Sequence, residues 1–180
     1  MKIQKGFTLL ELLVTLTVVI VLAAYAVPAL RNFIQNNKAV TQTNLLVTAV
    51  NYARSEAVKR RMPVVVCALD SGDACSSSNI AWDSNGWMAF ADKDDDGAYD
   101  AGEVLLKQWK DILNKNDIDI TAGSPSVTFL PTGALADDTP ADGVGLLVKV
   151  ADTTQEDRCV RVLTTGRVEY EKMTDGVSCP

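Results

Sequence analysis

From Phe7 to Leu30 the chain is apolar almost without interruption. Glu11 is the only charge there, and Thr8, Thr15, Thr17 and Tyr25 are the other polar side chains. About 18–20 such residues, wound as a helix, cross a hydrocarbon core of about 30 Å. Lys2 and Lys5 precede the stretch. By the positive-inside rule they hold the N-terminus in the cytoplasm and send the rest outward. Pro28 lies near the end of the stretch, where a missing N–H kinks or breaks a helix. From Arg31 to Met62 the pattern stays helical. Leu46, Ala49, Val50, Ala53, Ala57 and Val58 recur at spacings of three and four and form one apolar stripe. Lys59, Arg60 and Arg61 suit a helix C-terminus, and Pro63 is a stop.

After Pro63 the period changes. Val64–Leu69, Trp87–Ala91, Val104–Trp109, Val127–Leu130, Gly145–Val150, Cys159–Thr164 and Arg167–Lys172 are short runs, β-branched or alternating. Gly, Asp, Asn and Pro separate them. The expected fold class is α+β: a long N-terminal helix, membrane-spanning in its first half, packed on an antiparallel β-sheet domain. The expected divisions are 1–6 as a leader, 7–30 as a transmembrane helix, 31–62 as its amphipathic extension and 63–180 as a β-rich domain. Asp137–Gly143 reads as a flexible loop.

Composition changes this picture mainly by exclusion. Hydrophobic residues make up 47% of the 180-residue chain and charged residues 22%, which argues against wholesale disorder. The net charge of −6 repels nucleic acid on average. There is no histidine, so Ser-His-Asp, Cys-His and His-ligated zinc sites are excluded. No nucleophile–base constellation appears, and a non-enzymatic role is expected.

No convincing Ala-x-Ala-like site follows the apolar run, as an ordinary secretory signal requires. Instead Gly6-Phe7 lies just before it. The segment Lys5-Gly6-Phe7-Thr8-Leu9-Leu10-Glu11 closely resembles the prepilin peptidase site of type IV pilins. The resemblance implies cleavage after Gly6, methylation of the new N-terminal Phe7, and retention of the acid at Glu11. A carboxylate in a membrane helix costs roughly 2.5–3.5 kcal/mol or more unless partnered. The freed cationic amine of Phe7 would supply such a partner, within one helix or, as the resemblance implies, to the Glu11 of a neighbour. Glu11 is then an assembly residue. The implied partners are other pilins or pseudopilins through the N-terminal helix, the prepilin peptidase, and inner-membrane lipid. The implied location is the inner membrane, single-pass with a periplasmic C-terminal domain, and then a pilus or pseudopilus.

The later sequence narrows the resemblance. Trp82-Asp83-Ser84-Asn85-Gly86-Trp87-Met88-Ala89-Phe90-Ala91-Asp92 looks like a signature of the GspH/FimT pseudopilin family. So do Val127-Thr128-Phe129-Leu130-Pro131-Thr132-Gly133 and Arg161-Val162-Leu163-Thr164-Thr165-Gly166-Arg167-Val168. The aromatic residues are expected in core and loop packing. The family serves type II secretion pseudopili and type IV pili, where members help to initiate or cap assembly. Some FimT-type members bind DNA during uptake through a C-terminal Gly-Arg-x-Arg motif. Here the motif reads Gly166-Arg167-Val168-Glu169, with a reversed charge where a phosphate would sit. Arg158, Arg161, Arg167 and Lys172 remain as a candidate DNA-binding strip, interrupted by Glu169 and Glu171.

Cys67, Cys75, Cys159 and Cys179 all fall on the side where disulfides persist. Four cysteines allow three pairings. Sequence proximity favours Cys67–Cys75 and Cys159–Cys179. The segment Asp92–Glu103 fits the calcium loop pattern, with acids at Asp92, Asp94, Asp96, Asp100 and Glu103 and the carbonyl of Ala98 between. Calcium is therefore the candidate cofactor. A plain acidic hairpin is the alternative.

Overall fold

A computed structural model describes residues 7–70, 74–76, 82, 85–110, 118–136, 143–150, 157–173 and 179. The leader with Gly6, and all of the 137–143 loop but Gly143, lie outside the described residues. One helix, α1, runs from Leu9 to Arg60, 52 residues. Among the described residues eight strands follow: β1 (Val64–Ala68), β2 (Trp87–Ala91), β3 (Val104–Trp109), β4 (Ile118–Ala122), β5 (Ser126–Phe129), β6 (Val144–Val150), β7 (Asp157–Val162) and β8 (Val168–Met173). By its contacts the chain divides after Gln35 into two compact units.

The first unit holds the apolar part of α1. Thr8 caps the helix, its Oγ1 accepting the Glu11 N–H at 3.2 Å. Thr15 and Thr17 donate their hydroxyls to the Leu12 and Val14 carbonyls at 2.9 and 2.8 Å. A threonine in an apolar helix is thereby satisfied without water. The helix continues through Pro28, so the break expected there does not occur. By length and composition it is able to cross a membrane.

The second unit, Asn36–Pro180, contains the core. Ala39, Leu46, Ala49, Val50, Ala53 and Ala57 of α1 are fully buried. The many alanines let the sheets approach the helix closely. Val58, read from the sequence as part of this stripe, is instead 50% exposed. The strands form two antiparallel four-stranded sheets, ordered β3-β2-β1-β5 and β4-β6-β7-β8. Both sheets contribute to one core with α1: Val64, Val66, Trp87, Ala89, Val127 and Phe129 from the first, Ile120, Leu146, Val148, Val160 and Val162 from the second. The opposite face of the first sheet is buried too. There Val65, Cys67, Leu69, Met88 and Phe90 form a second cluster, closed over by Cys75 and Tyr99. Burial on both faces explains why β1 reads as an unbroken apolar run rather than an alternating one.

Strand β4 is absent from the sequence expectation. Its Ile-Asp-Ile-Thr-Ala run has a half-buried strand pattern, but it is only five residues long before a Gly-Ser-Pro turn. Its pairing with β6, Ile120 opposite Val148, decides it. Helix α1 ends on Arg61, a non-glycine residue at φ 58 whose N–H still reaches the Ala57 carbonyl at 2.9 Å. Both disulfides join the nearer cysteines, Cys67 to Cys75 and Cys159 to Cys179. The first ties the strand-following loop over the second cluster. The second ties Cys179 to β7.

Candidate functional site

Three features carry candidate chemistry: the start of α1, the Asp92–Glu103 loop, and the turns that meet the C-terminal end of the helix. At the start of α1, Phe7 is 83% exposed and the apolar side chains from Leu9 to Ile34 are all exposed. Glu11 lies among them, three residues after its capping threonine. An acid in the first helical turn is favoured by the helix dipole, so this position is the least costly one for a carboxylate on an apolar helix. Such a surface is stable only when lipid or other apolar helices cover it.

The Asp92–Glu103 loop links β2 to β3. Asp92 is buried and its carboxylate accepts two loop N–H groups, Asp95 at 2.7 Å and Gly97 at 2.9 Å. Asp96 Oδ1 accepts the Ala98 N–H at 2.8 Å. Glu103 closes the other end, accepting from Lys93 at 2.7 Å and Asp100 at 3.1 Å. Asp95 and Gly97 both take positive φ, 62° and 77°, which wraps the loop around Asp92. Tyr99 folds back with its ring 5.3 Å from that of Phe90. Of the expected calcium ligands, Asp92, Asp94 and Asp96 converge, with one oxygen from each within 4.8 Å of the others. Asp100 and Glu103 are not in that group; both Glu103 oxygens serve backbone N–H groups instead. Three of the expected carboxylates are thus close enough to share one hard cation.

The basic strip of the sequence does not assemble. Arg158 and Arg161 are an odd number of residues apart on β7, so they point to opposite faces. Arg158 faces α1, is 8% exposed and donates from Nη2 to Asn36 Oδ1 at 3.0 Å. Its burial removes it from any phosphate backbone. Arg161 and Arg167 both lie 3.5 Å from Glu169, one on each carboxylate oxygen. The acid that replaces the second arginine of the motif thus pairs with the motif's remaining Arg167 and with Arg161.

Arg54 was not singled out by sequence reasoning. It projects from the last two turns of α1, between buried Ala53 and Ala57 in the sequence. Its Nε donates to the Gly133 carbonyl at 3.0 Å and its Nη2 to the Thr165 carbonyl at 3.2 Å. Those two turns follow β5 and β7 and belong to different sheets. A Cβ on Gly166 would fall 1.8 Å from the Gly133 carbonyl oxygen. The Thr-Gly pairs in both turns were the available signal. One arginine breaking an alanine-rich stripe was the other.

Residues 42–166 match the family model described as type II transport protein GspH, and residues 1–27 match the prokaryotic N-terminal methylation motif. The chain belongs to the GspH family. The GspH match begins three residues after Ala39, the first buried residue of α1, and ends on the Gly166 turn. A type IV major fimbrial protein FimA of Dichelobacter nodosus is 30% identical over 90 residues, 50% of each chain. The prepilin peptidase-dependent protein D of Escherichia coli K12 is 33% identical over 78 residues, 42% of this chain and 46% of that one. The chain thus spans about half the length of the curated relatives it matches. The crystal structure of the type IV minor pilin FimU of Pseudomonas aeruginosa shares the fold, with a TM-score of 0.58 at 20% identity over 77% of this chain and 92% of that one. GspH-family proteins are pilin-like structural subunits, and the long helix with its antiparallel sheets is a pilin-like architecture.

Proposed function

We propose that the chain is a minor pilin or pseudopilin that helps to initiate or cap a type IV pilus or a type II secretion pseudopilus. The observation that carries this is the exposed apolar first part of α1, bearing one acid, Glu11, shortly after Gly6-Phe7. Cleavage after Gly6 places a cationic amine at the depth of that acid. A neighbouring subunit that pairs its acid with this amine removes two unpaired charges from the membrane at once. Correct axial register is thereby selected, and no catalysis by the subunit is required. The precursor is inserted in the inner membrane with its sheet domain in the periplasm, and the mature subunit then joins the filament.

The test is processing and incorporation in the native membrane. Gly6→Ala is expected to leave the precursor uncleaved. Glu11→Ala is expected to be cleaved but excluded from filaments. Full processing of Gly6→Ala, or normal incorporation of Glu11→Ala, removes the main support.

DNA uptake is not the favoured role, because Arg158 is buried and Glu169 pairs with Arg161 and Arg167. Calcium at Asp92, Asp94 and Asp96 is a separate proposal, supported by the convergence of those carboxylates. Calorimetry at millimolar calcium tests it, and no heat of binding ends it.

A further inference from the structure

Strand β3 is the outermost strand of its sheet among the described residues, so its outer row of backbone N–H and C=O groups has no strand beside it. Such edges are normally blunted by lysines, prolines or bulges, because they template pairing with another chain. Here Val104 and Leu105 are consecutive and exposed, at 52% and 38%. The one lysine in the strand does not guard the edge. The Lys107 ammonium is drawn back over two rings, 5.6 Å from the Tyr52 centroid and 5.0 Å from that of Trp109. The pairing with β2 shifts at Leu106, which breaks the ladder in mid-strand but leaves Val104 and Leu105 paired with Ala91 and Phe90. The open end of the edge is therefore its N-terminal half, next to the Asp92–Glu103 loop. Asp94, Asp95, Asp96 and Asp100 of that loop are all exposed.

We infer that the Val104–Leu105 edge is a docking site for an extended segment of another pilin-like subunit, with a Lys or Arg where that segment meets the acidic loop. Main-chain hydrogen bonds to an open edge supply affinity, and flanking charges fix register and choose the partner. A second copy of this chain laid parallel on the edge is disfavoured, because it sets one acidic loop against the other. The inference rests on the filament-subunit reading.

The experiment uses the full chain in its native membrane with its co-expressed subunits, carrying a photo-crosslinking phenylalanine at Leu105, at Leu16 on the apolar helix, or at Tyr170 on the exposed edge of the other sheet. The expected result is an adduct from Leu105 to another pilin-like subunit, on a peptide with an adjacent Lys or Arg, and no such adduct from Tyr170. The variant D94N/D95N/D96N retains the Asp96 Oδ1 acceptor and removes three charges. It is expected to lower the Leu105 yield roughly threefold to tenfold, with a smaller effect at high salt. Adducts from Leu16 to other subunits without adducts from Leu105 overturn the docking site and leave the filament reading intact. Absence of both overturns the two together. Adducts from Leu105 only to copies of this chain, equal yield from Tyr170, or a yield unchanged in the asparagine variant also overturn the docking site.

Discussion

The Arg54 guanidinium donates to the Gly133 carbonyl at 3.0 Å across the junction of helix and sheet. It also reaches Thr165, so one side chain holds a turn from each sheet against α1. Gly166 makes this possible, because no side chain fits between it and Gly133. Arg54→Met is expected to lose both bonds and destabilise the domain by about 1–3 kcal/mol in denaturant titration. Arg54→Lys is expected to recover less than half of that loss, since an ammonium lacks the planar fork that bridges two carbonyls. Gly166→Ala is expected to cost more than about 2 kcal/mol, through steric overlap and a φ of +74° together.

Gln42 lies fully buried on the helix face, and neither amide atom has a hydrogen-bond partner among the described residues. An unsatisfied buried amide costs about 1–3 kcal/mol. Gln42→Leu has similar volume and no such penalty. It is expected to raise the denaturation midpoint, and an unchanged or lowered midpoint refutes the assignment of this residue as an uncompensated polar group.

Glu56 is nearly buried on α1 and takes Arg60 Nε at 2.6 Å and Lys59 Nζ at 3.0 Å. The hydrogen bond from Arg60, then that from Lys59, holds its carboxyl below the ordinary value of 4.5. A depressed carboxyl stabilises the fold above its unfolded pKa, and that stability is lost as pH falls through the folded value. The midpoint difference between wild type and Glu56→Gln is therefore expected to be full at neutral pH and to shrink below about 4.5. Thermal melts across pH 3–7 measure it (roughly the range over which a carboxyl titrates).

The Asp92 carboxylate organises its loop through backbone N–H groups of Asp95 and Gly97. Asp92→Ala leaves both without their acceptor and is expected to lower stability by about 1–3 kcal/mol even with chelator present. The Tyr99 ring, seated on Phe90, is expected to loosen with it. Protease sensitivity in the loop reads this out. A variant as resistant as wild type would show that the loop does not depend on Asp92.

Much of this protein was legible in the sequence because its strongest signals are local. An apolar run of membrane length, a glycine before it and one acid inside it need no tertiary contact to be read. The helix stripe and most strands follow from periodicity, which the burial of Ala39, Leu46, Ala49, Val50, Ala53 and Ala57 reproduces. The division of the strands into two sheets was not legible, because pairing between Ile120 and Val148 or Val65 and Phe90 depends on residues far apart in the chain. The same holds for side-chain direction. Arg158, Arg161 and Arg167 looked like one strip when written in a line, but the pleat of β7 turned Arg158 to the opposite face from Arg161, and Glu169 pairs with both Arg161 and Arg167. Arg54 was not singled out in the sequence, because only the convergence of two distant turns gives it acceptors. By itself the sequence determined that this is a membrane-anchored helix followed by a β-rich, disulfide-containing domain, since hydrophobicity and period are properties of neighbouring residues. The tertiary structure decided which polar groups are satisfied, which charges are spent on each other and which strand edge is left open, since those depend on what distant segments bring to the same place.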